Sequence, residues 1–322
     1  DGVKPMGDLI LNTQDLSKCY TSQLSNFAIN GLNLSIGAGS LYGLIGPDGA
    51  GKSTTLRILS TVLKPTSGKV YVNGYDSLNN PEKVRPYIGY MPQLFSLYQD
   101  LSVQENLDFF ARIYGVPRAE RKTRTWEMMA FIHLEKYHDR RARNLSGGMK
   151  KKLALACSLI HNPRLLILDE PSTGVDPVSR RELWLMLAEV VNKGVTAIVS
   201  TPYMDEAERC SEVAILFEGK IIVQGKPAAL KKSLPYEIVE VKAKPRKAMR
   251  SSVAKQKDIV DWRPVGDRIR IEVAKEKTSE LVSSLKDELS RNNSEIRILR
   301  KTRPLMEDVF THNVNLRRRE NA

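Results

Sequence analysis

Apolar positions follow two patterns along the chain. Up to about residue 225, unbroken apolar runs alternate with stretches of helical periodicity. The runs are GSLYGLIG (39–46), LLILDEP (165–171), VTAIVST (195–201) and EVAILFEGKIIVQG (212–225). Continuous Leu/Ile/Val runs between helices predict a largely parallel sheet covered on both faces. Beyond 235 the pattern changes to alternation: 236–244 and 268–275 read as half-exposed strands and 295–301 as another. Apolar residues at 281, 282, 285 and 289 give 278–290 helical spacing. Between the two patterns, GKPAALKKSLP (225–235) places turn residues at both ends of a short helix-like insert, the mark of a domain boundary. An α/β domain followed by a small α+β domain is therefore expected. The longest run of small and apolar residues, 153–160, is far short of the ~20 needed to cross a bilayer.

The candidate chemistry lies at the ends of the apolar runs. GPDGAGKS (46–53) fits the phosphate-loop pattern, follows a strand and opens the helical run 53–63. Gly46, Gly49 and Gly51 let backbone N–H groups turn inward around phosphate oxygens. The helix N-terminus adds partial positive charge. Lys52 has the reach for the β- and γ-phosphates, and the Ser53 hydroxyl is a Mg2+ ligand type. LLILDE (165–170) ends a buried strand in two carboxylates, where parallel sheets hold their ligands. Asp169 suits Mg2+, and Glu170 can orient or deprotonate an attacking water; the alternative is that either acid only caps the next helix. Ser146, Gly147 and Gly148 start a helix within NLSGGMKKKLALACSLI (144–160), which reads as a second anion site or as a simply capped helix with a basic flank.

Over about residues 8–230 the sequence resembles the ATP-binding-cassette (ABC) ATPases: LSGGM stands between a phosphate loop and LLILDEP. The resemblance implies a P-loop cassette at 6–230. It would have a mostly parallel sheet, an antiparallel β part and a helical subdomain over about 94–160, with 235–322 as a small α+β accessory or regulatory domain. It further implies two cassettes meeting head to tail, each ATP lying between one phosphate loop and the other's LSGG segment. On that basis Tyr20 stacks on adenine, although a lone Tyr is otherwise best read as a core aromatic. Gly46, Pro47, Asp48, Gly49, Ala50, Gly51, Lys52, Ser53 and Thr54 hold the nucleotide, and Ser146, Gly147 and Gly148 bind γ-phosphate in trans. Gln93 contacts Mg2+ and the attacking water. The metal set is then Ser53, Gln93 and Asp169, the catalytic set Glu170, Gln93 and Lys52, and Asp176 in STGVDP (172–177) links the two sites.

Segments 97–116, 200–210 (STPYMDEAERC) and 303–310 (RPLMEDVF) are similar to ATPase subunits of bacterial drug and polymer export. The resemblance implies ATP and Mg2+ as cofactors. The implied partners are a second cassette (homodimer, heterodimer or fused) and an integral membrane permease on another chain. The implied place is peripheral, at the cytoplasmic face of the inner (plasma) membrane. One position departs from the pattern. Where most members have a γ-phosphate-contacting histidine after 195–201, this chain has Pro202, which has neither a titratable group nor an N–H. Slow hydrolysis at this chain's own site is therefore expected, against an alternative in which Glu170 suffices.

Charge adds a second layer. The formal net charge is +13. It is concentrated in 112–152, with twelve basic and four acidic residues, and in 235–322, with 21 and 14. Arg118, Arg121, Lys122, Arg124, Arg140, Arg141 and Arg143 lie in the first block, suited to an anionic membrane face or simply solvated. Leu107, Phe110, Ala111 and Tyr114 form an apolar stripe expected to be core. A soluble ABC-type ATPase acting on ribosomes or nucleic acid is the competing class. It is disfavoured because the chain has a single cassette and no long heptad run; an ATP-gated module with little hydrolysis is a third reading. Three scattered cysteines suggest reduced thiols in an intracellular protein. The chain opens on Asp1, with Met6 a candidate start, and LRRRENA is either a tail or a cut in a longer two-cassette chain.

Overall fold

The computed structural model describes residues 9–20, 27–94 and 97–320, so Met6 and the first residues of the expected cassette fall outside it. The chain divides into two compact units, Asp1–Pro227 and Ala228–Ala322. In the first, β1 (Leu9–Cys19), β2 (Phe27–Leu32) and β3 (Ser35–Gly37) precede β4 (Leu41–Ile45), and β5 (Ser67–Val72) and β6 (Tyr75–Asp76) follow it. Strands β1, β2, β3, β5 and β6 form an antiparallel sheet.

The remaining strands are β7 (Ile88–Met91), β8 (Leu165–Asp169), β9 (Thr196–Thr201), β10 (Glu212–Phe217) and β11 (Lys220–Gly225). With β4 they make a second sheet in the order β11-β10-β4-β9-β8-β7. All neighbours in it are parallel except the β10–β11 hairpin. Every residue of β4, β8 and β9 is buried, as continuous apolar runs require of a sheet covered on both faces. One core joins the sheets: Leu56, Ile58 and Leu59 of the helix Lys52–Leu59 pack with Leu11, Ile29 and Val70 on one side and with Leu44, Ile167 and Ile198 on the other.

Two expectations are corrected here. The run 212–225 is not one strand but a hairpin, broken where Glu218 and Gly219 both take positive φ. The helix expected over 53–63 stops at Leu59. Thr61 turns left-handed (φ 60°), and the Val62 and Leu63 N–H groups both reach back to Arg57 O, a closure that no helical turn can follow.

Between β7 and β8 lie the helices Val103–Ile113, Arg118–Phe131 and Gly147–Leu159. Ser102 and Glu105 form a reciprocal capping box at the start of the first. Of the expected stripe, Leu107 and Ala111 are fully buried, but Tyr114 reaches the surface and stacks on His161 at 4.0 Å. The basic block is partly internal. Arg121 donates to Val116 O, Arg124 caps the end of Gly147–Leu159 through Leu159 O and Ile160 O, and Arg143 pairs with Asp100. All three cysteines are buried, and none is in a disulfide. No helix among the described residues is long and apolar enough to cross a membrane.

The second unit is a four-stranded antiparallel sheet, β13 (Ile259–Val265), β14 (Arg268–Ala274), β12 (Tyr236–Lys244) and β15 (Glu295–Thr302) in spatial order. Val253 of the helix Arg246–Ala254 and Leu281, Leu285 and Leu289 of the helix Thr278–Arg291 pack on Val239, Val241, Ile269 and Ile271. The helix Met306–Glu320 follows β15.

Candidate active site

Parallel pairing brings four segments to one edge of the central sheet. Ile45 lies opposite Thr201, Ser200 opposite Asp169, and Leu168 opposite Met91, so the carboxyl ends of β4, β9, β8 and β7 are neighbours. Ligands bind at this edge of such sheets because the loops leaving it carry the free side chains.

The glycine loop after β4 is shaped by close approach. A Cβ on Gly46 would stand 2.3 Å from Leu216 O, and one on Gly51 (φ 104°) would stand 2.4 Å from Ala28 O. These positions therefore exclude any side chain. Lys52 is 4 % exposed; its Nζ donates to Gly46 O (2.8 Å) and Pro47 O (3.0 Å), and Glu170 Oε1 lies 3.5 Å away. Ala28, Asp48, Gly49, Gly51, Lys52, Ser53, Thr54, Gln93 and Glu170 line a cavity of about 290 Å³. Asp48 is nearly fully exposed, and Ala50 is packed away in the core. Tyr20 is 59 % exposed, with its hydroxyl 3.2 Å from that of Thr54 and Lys18 Nζ over its ring, 5.6 Å from the centroid.

The two carboxylates face the loop. Asp169 Oδ1 accepts from Ser53 Oγ (3.0 Å) and Ser200 Oγ (2.7 Å). Asp169 Oδ2, fully buried, has no partner. Glu170 takes a left-handed φ of 48°, a conformation that persists only where neighbours hold it. Its N–H donates to Ser200 Oγ (3.0 Å), and its Oε2 accepts from Gln93 Nε2 (2.8 Å) and Thr173 Oγ1 (3.2 Å). Burial pushes the ammonium of Lys151 below the usual lysine range, while Glu170 and Asp169 pull it back up. Lys151 Nζ donates to Gln93 O (3.2 Å) and Glu170 O (3.4 Å).

Of the residues named from sequence, Lys52, Ser53, Gln93, Asp169 and Glu170 meet in one hydrogen-bonded and ion-paired cluster. Ser146, Gly147 and Gly148 do not join it. Ser146 caps its helix through the Met149 N–H (3.2 Å), and a Cβ on Gly148 would stand 2.3 Å from Ser179 Oγ and 3.6 Å from Asp176 Oδ2. Asp176 in turn caps the helix Pro177–Asn192, and hydrogen bonds from Ser179 and Val178 hold its carboxyl below the usual range. The glycine loop and the Ser146–Gly148 segment thus make separate sets of contacts.

Pro202 follows β9 directly beside the loop, since the Gly46 N–H donates to Thr201 O (3.3 Å). Its flanks are pinned: the fully buried Glu206 binds Thr201 Oγ1, Arg180 Nε and Trp184 Nε1, and the Tyr203 N–H donates to Thr201 Oγ1. Sequence reasoning missed Ser200, Thr173 and Lys151. A hydroxyl inside the buried run TAIVST was a readable signal for Ser200, because buried polar groups need partners. Lys151 sits among three consecutive lysines, and nothing local marks it as the one whose ammonium reaches Gln93 and Glu170.

Mg2+ fits these residues: an unpartnered buried carboxylate oxygen beside a serine hydroxyl supplies hard oxygen donors. Among the described residues no group of three or more His, Cys, Asp and Glu is arranged to hold a metal by itself. This matches an ion bound through one carboxylate and substrate phosphates rather than by a protein cage.

The sequence pattern of the ABC transporter family matches residues 29–173. A probable multidrug ABC transporter ATP-binding protein of Escherichia coli (strain K12) is 43% identical over 229 residues, 71% of this chain; the chain spans only 39% of that relative's length. The Nod factor export ATP-binding protein I of Ralstonia nicotianae is 37% identical over 247 residues, 76% of each protein. Among solved structures, the dimeric post-hydrolysis state of an ATP-binding cassette bound to ADP and Pi superposes with a TM-score of 0.62 at 26% identity, over 67% of this chain and 98% of that one.

Proposed function

The chain belongs to the ABC transporter ATP-binding family, and from that premise we propose that it binds and cleaves ATP as the motor subunit of an export system. The observation that carries this reading is the meeting of Lys52, Ser53, Asp169 and Glu170 around a glycine cradle, with one oxygen of Asp169 left for a cation. Loop N–H groups and Lys52 hold the phosphates, and the exposed ring of Tyr20 offers a stacking face for the base. Glu170, oriented by Gln93 and Thr173, accepts the proton of the attacking water. When bound, Mg2+ neutralises phosphate charge through Ser53, Asp169 and Gln93. Ser146, Gly147 and Gly148 serve the γ-phosphate of a second cassette, whether a like copy, a different one or one fused to this chain. Export is supported by the names of the relatives, and the membrane path is supplied by an integral membrane partner on a separate chain at the cytoplasmic face.

Pro202 limits turnover, because the segment beside Gly46 offers neither a titratable group nor an N–H toward the γ-phosphate. Phosphate release from Mg2+-ATP tests both statements. The parent should release phosphate slowly, Glu170→Gln should bind ATP without releasing it, and Pro202→His should gain about tenfold. A parent indistinguishable from Glu170→Gln makes the chain an ATP-gated module. A Pro202→His variant no faster than the parent removes the proline as the limit.

A further inference from the structure

We propose that Lys151 is a positioning residue that ties the helix carrying Ser146–Gly148 to Gln93 and Glu170 of the chain's own site. The proposal rests on the ATPase reading above and deepens it. Three consecutive lysines open the helix Gly147–Leu159, and each does something different. Lys152 pairs with Glu182 at 2.5 Å. Lys150 is half-buried, and Lys151 is only 7 % exposed.

Burying an ammonium costs solvation and side-chain freedom, so the fold must return something specific for it. Here it returns two backbone carbonyls, Gln93 O and Glu170 O, from loops that follow different strands. A lysine ammonium has three donors and no acceptor, so one Nζ can bridge two carbonyls, as no aliphatic side chain can.

Those two carbonyls sit where orientation matters. Glu170 is in the left-handed region, where rotation of its peptide planes would swing the carboxylate away from Gln93 and Lys52. Its N–H is held by Ser200 Oγ, and its C=O accepts from the Thr173 N–H (3.3 Å) within its own loop and from Lys151 Nζ, which adds a tie from a different element. Gln93 is fixed at its side chain by Glu170 and at its carbonyl by Lys151. Lys151 lies five residues beyond Ser146, about 7.5 Å along one helix. A shift at the helix start, as when Ser146–Gly148 engage an anion, is therefore delivered to both catalytic candidates at once. Lys151 is not among the residues that line the cavity at the glycine loop.

The test uses the full chain with Lys151→Met, which keeps a long apolar stem, and Lys151→Arg, which keeps the donors. Three readouts are compared: affinity for a fluorescent ATP analogue, the single-turnover cleavage rate, and amide exchange in 91–94 and 170–174. Lys151→Met should bind the analogue within about threefold of the parent, cleave at least about tenfold more slowly, and exchange faster in both segments together. Lys151→Arg should restore all three. Cleavage by Lys151→Met within about twofold of the parent overturns the proposal. So does a loss of cleavage matched by equal loss of binding, with exchange rising throughout the first unit and no rescue by arginine. If Lys151→Met does not fold, Lys151→Gln takes its place under the same criteria. A parent that binds no ATP analogue defeats the ATPase reading instead, and the exchange of the two segments still judges the bridge.

Discussion

Two completely buried carboxylates, Asp169 in the first unit and Asp308 in the second, are treated in opposite ways. Asp308, in the helix Met306–Glu320, is saturated. Its Oδ1 accepts from Arg263 Nη2 (2.5 Å), and its Oδ2 accepts from Arg270 Nη2 (2.9 Å) and the Leu305 N–H (2.7 Å). Two cations reach it from β13 and β14, so the helix is clasped to the sheet. Asp169 receives only the neutral hydroxyls of Ser53 and Ser200 on Oδ1, and nothing on Oδ2. A buried charge satisfied by its own chain is a structural clasp. One left half-satisfied beside a glycine cradle is what the proposed ATPase would need for a cation that arrives with a ligand.

That contrast can be broken at either end. The largest expected effect is on chemistry. Asp169→Asn and Glu170→Gln should each lower ATP cleavage by about 10²-fold or more, with the unfolding free energy changed by less than about 1 kcal/mol. An Asp169→Asn variant that unfolds readily would make Asp169 a clasp like Asp308. Next comes Asp308→Asn, which removes the carboxylate that Arg263 and Arg270 share, leaving Arg263 its pair with Glu307, and should cost the second unit about 3 kcal/mol, read from the fluorescence of Trp262 in denaturant. Unimpaired stability there would erase the distinction from the other side.

A smaller effect concerns Glu272 on β14, beside this clasp. Burial, reinforced by Asp261 and Asp308 and opposed by Arg263, pushes its carboxyl from 4.5 up to about 7. Between those values the folded unit holds a proton that the unfolded chain has lost, so stability falls as pH rises through the window. Glu272→Gln should flatten that slope and stabilise the second unit at pH 8 by on the order of 1 kcal/mol. An unchanged pH profile would remove Glu272 from the account. The smallest effect expected is Ser200→Ala, which removes one hydrogen bond to Asp169 and one to Glu170 and should slow cleavage by about three- to tenfold with ATP affinity kept.

Much of the fold was legible because its signals are local. The runs at 41–45, 165–169 and 196–201 are buried along their whole length, the first two almost wholly apolar and the third apolar at its centre, so their strand character needed no knowledge of neighbours. The glycine loop and Asp169–Glu170 were legible for a related reason, since each packs its chemistry into a few consecutive residues. β13 was not foreseen, because IVDWRPV neither alternates nor runs apolar: it is an edge strand, where Pro264 is tolerated. The RPLMEDVF segment gave no hint that its aspartate is a clasp, because the arginines lie 38 and 45 residues earlier.

By itself the sequence determined where a glycine-rich turn opens a helix, which strand ends in carboxylates, where the charge is concentrated and that the position after β9 is a proline. Each of these depends on residue type and near spacing. Only the tertiary structure decided which of three adjacent lysines reaches Gln93 and Glu170, that Ser200 braces the Asp169 carboxylate and the Glu170 backbone, and that the Ser146–Gly148 segment stands apart from the cradle on the same chain. Those facts depend on the register of strands and the facing of helices far apart in sequence, where a hydrogen bond's reach of about 3 Å is set by packing.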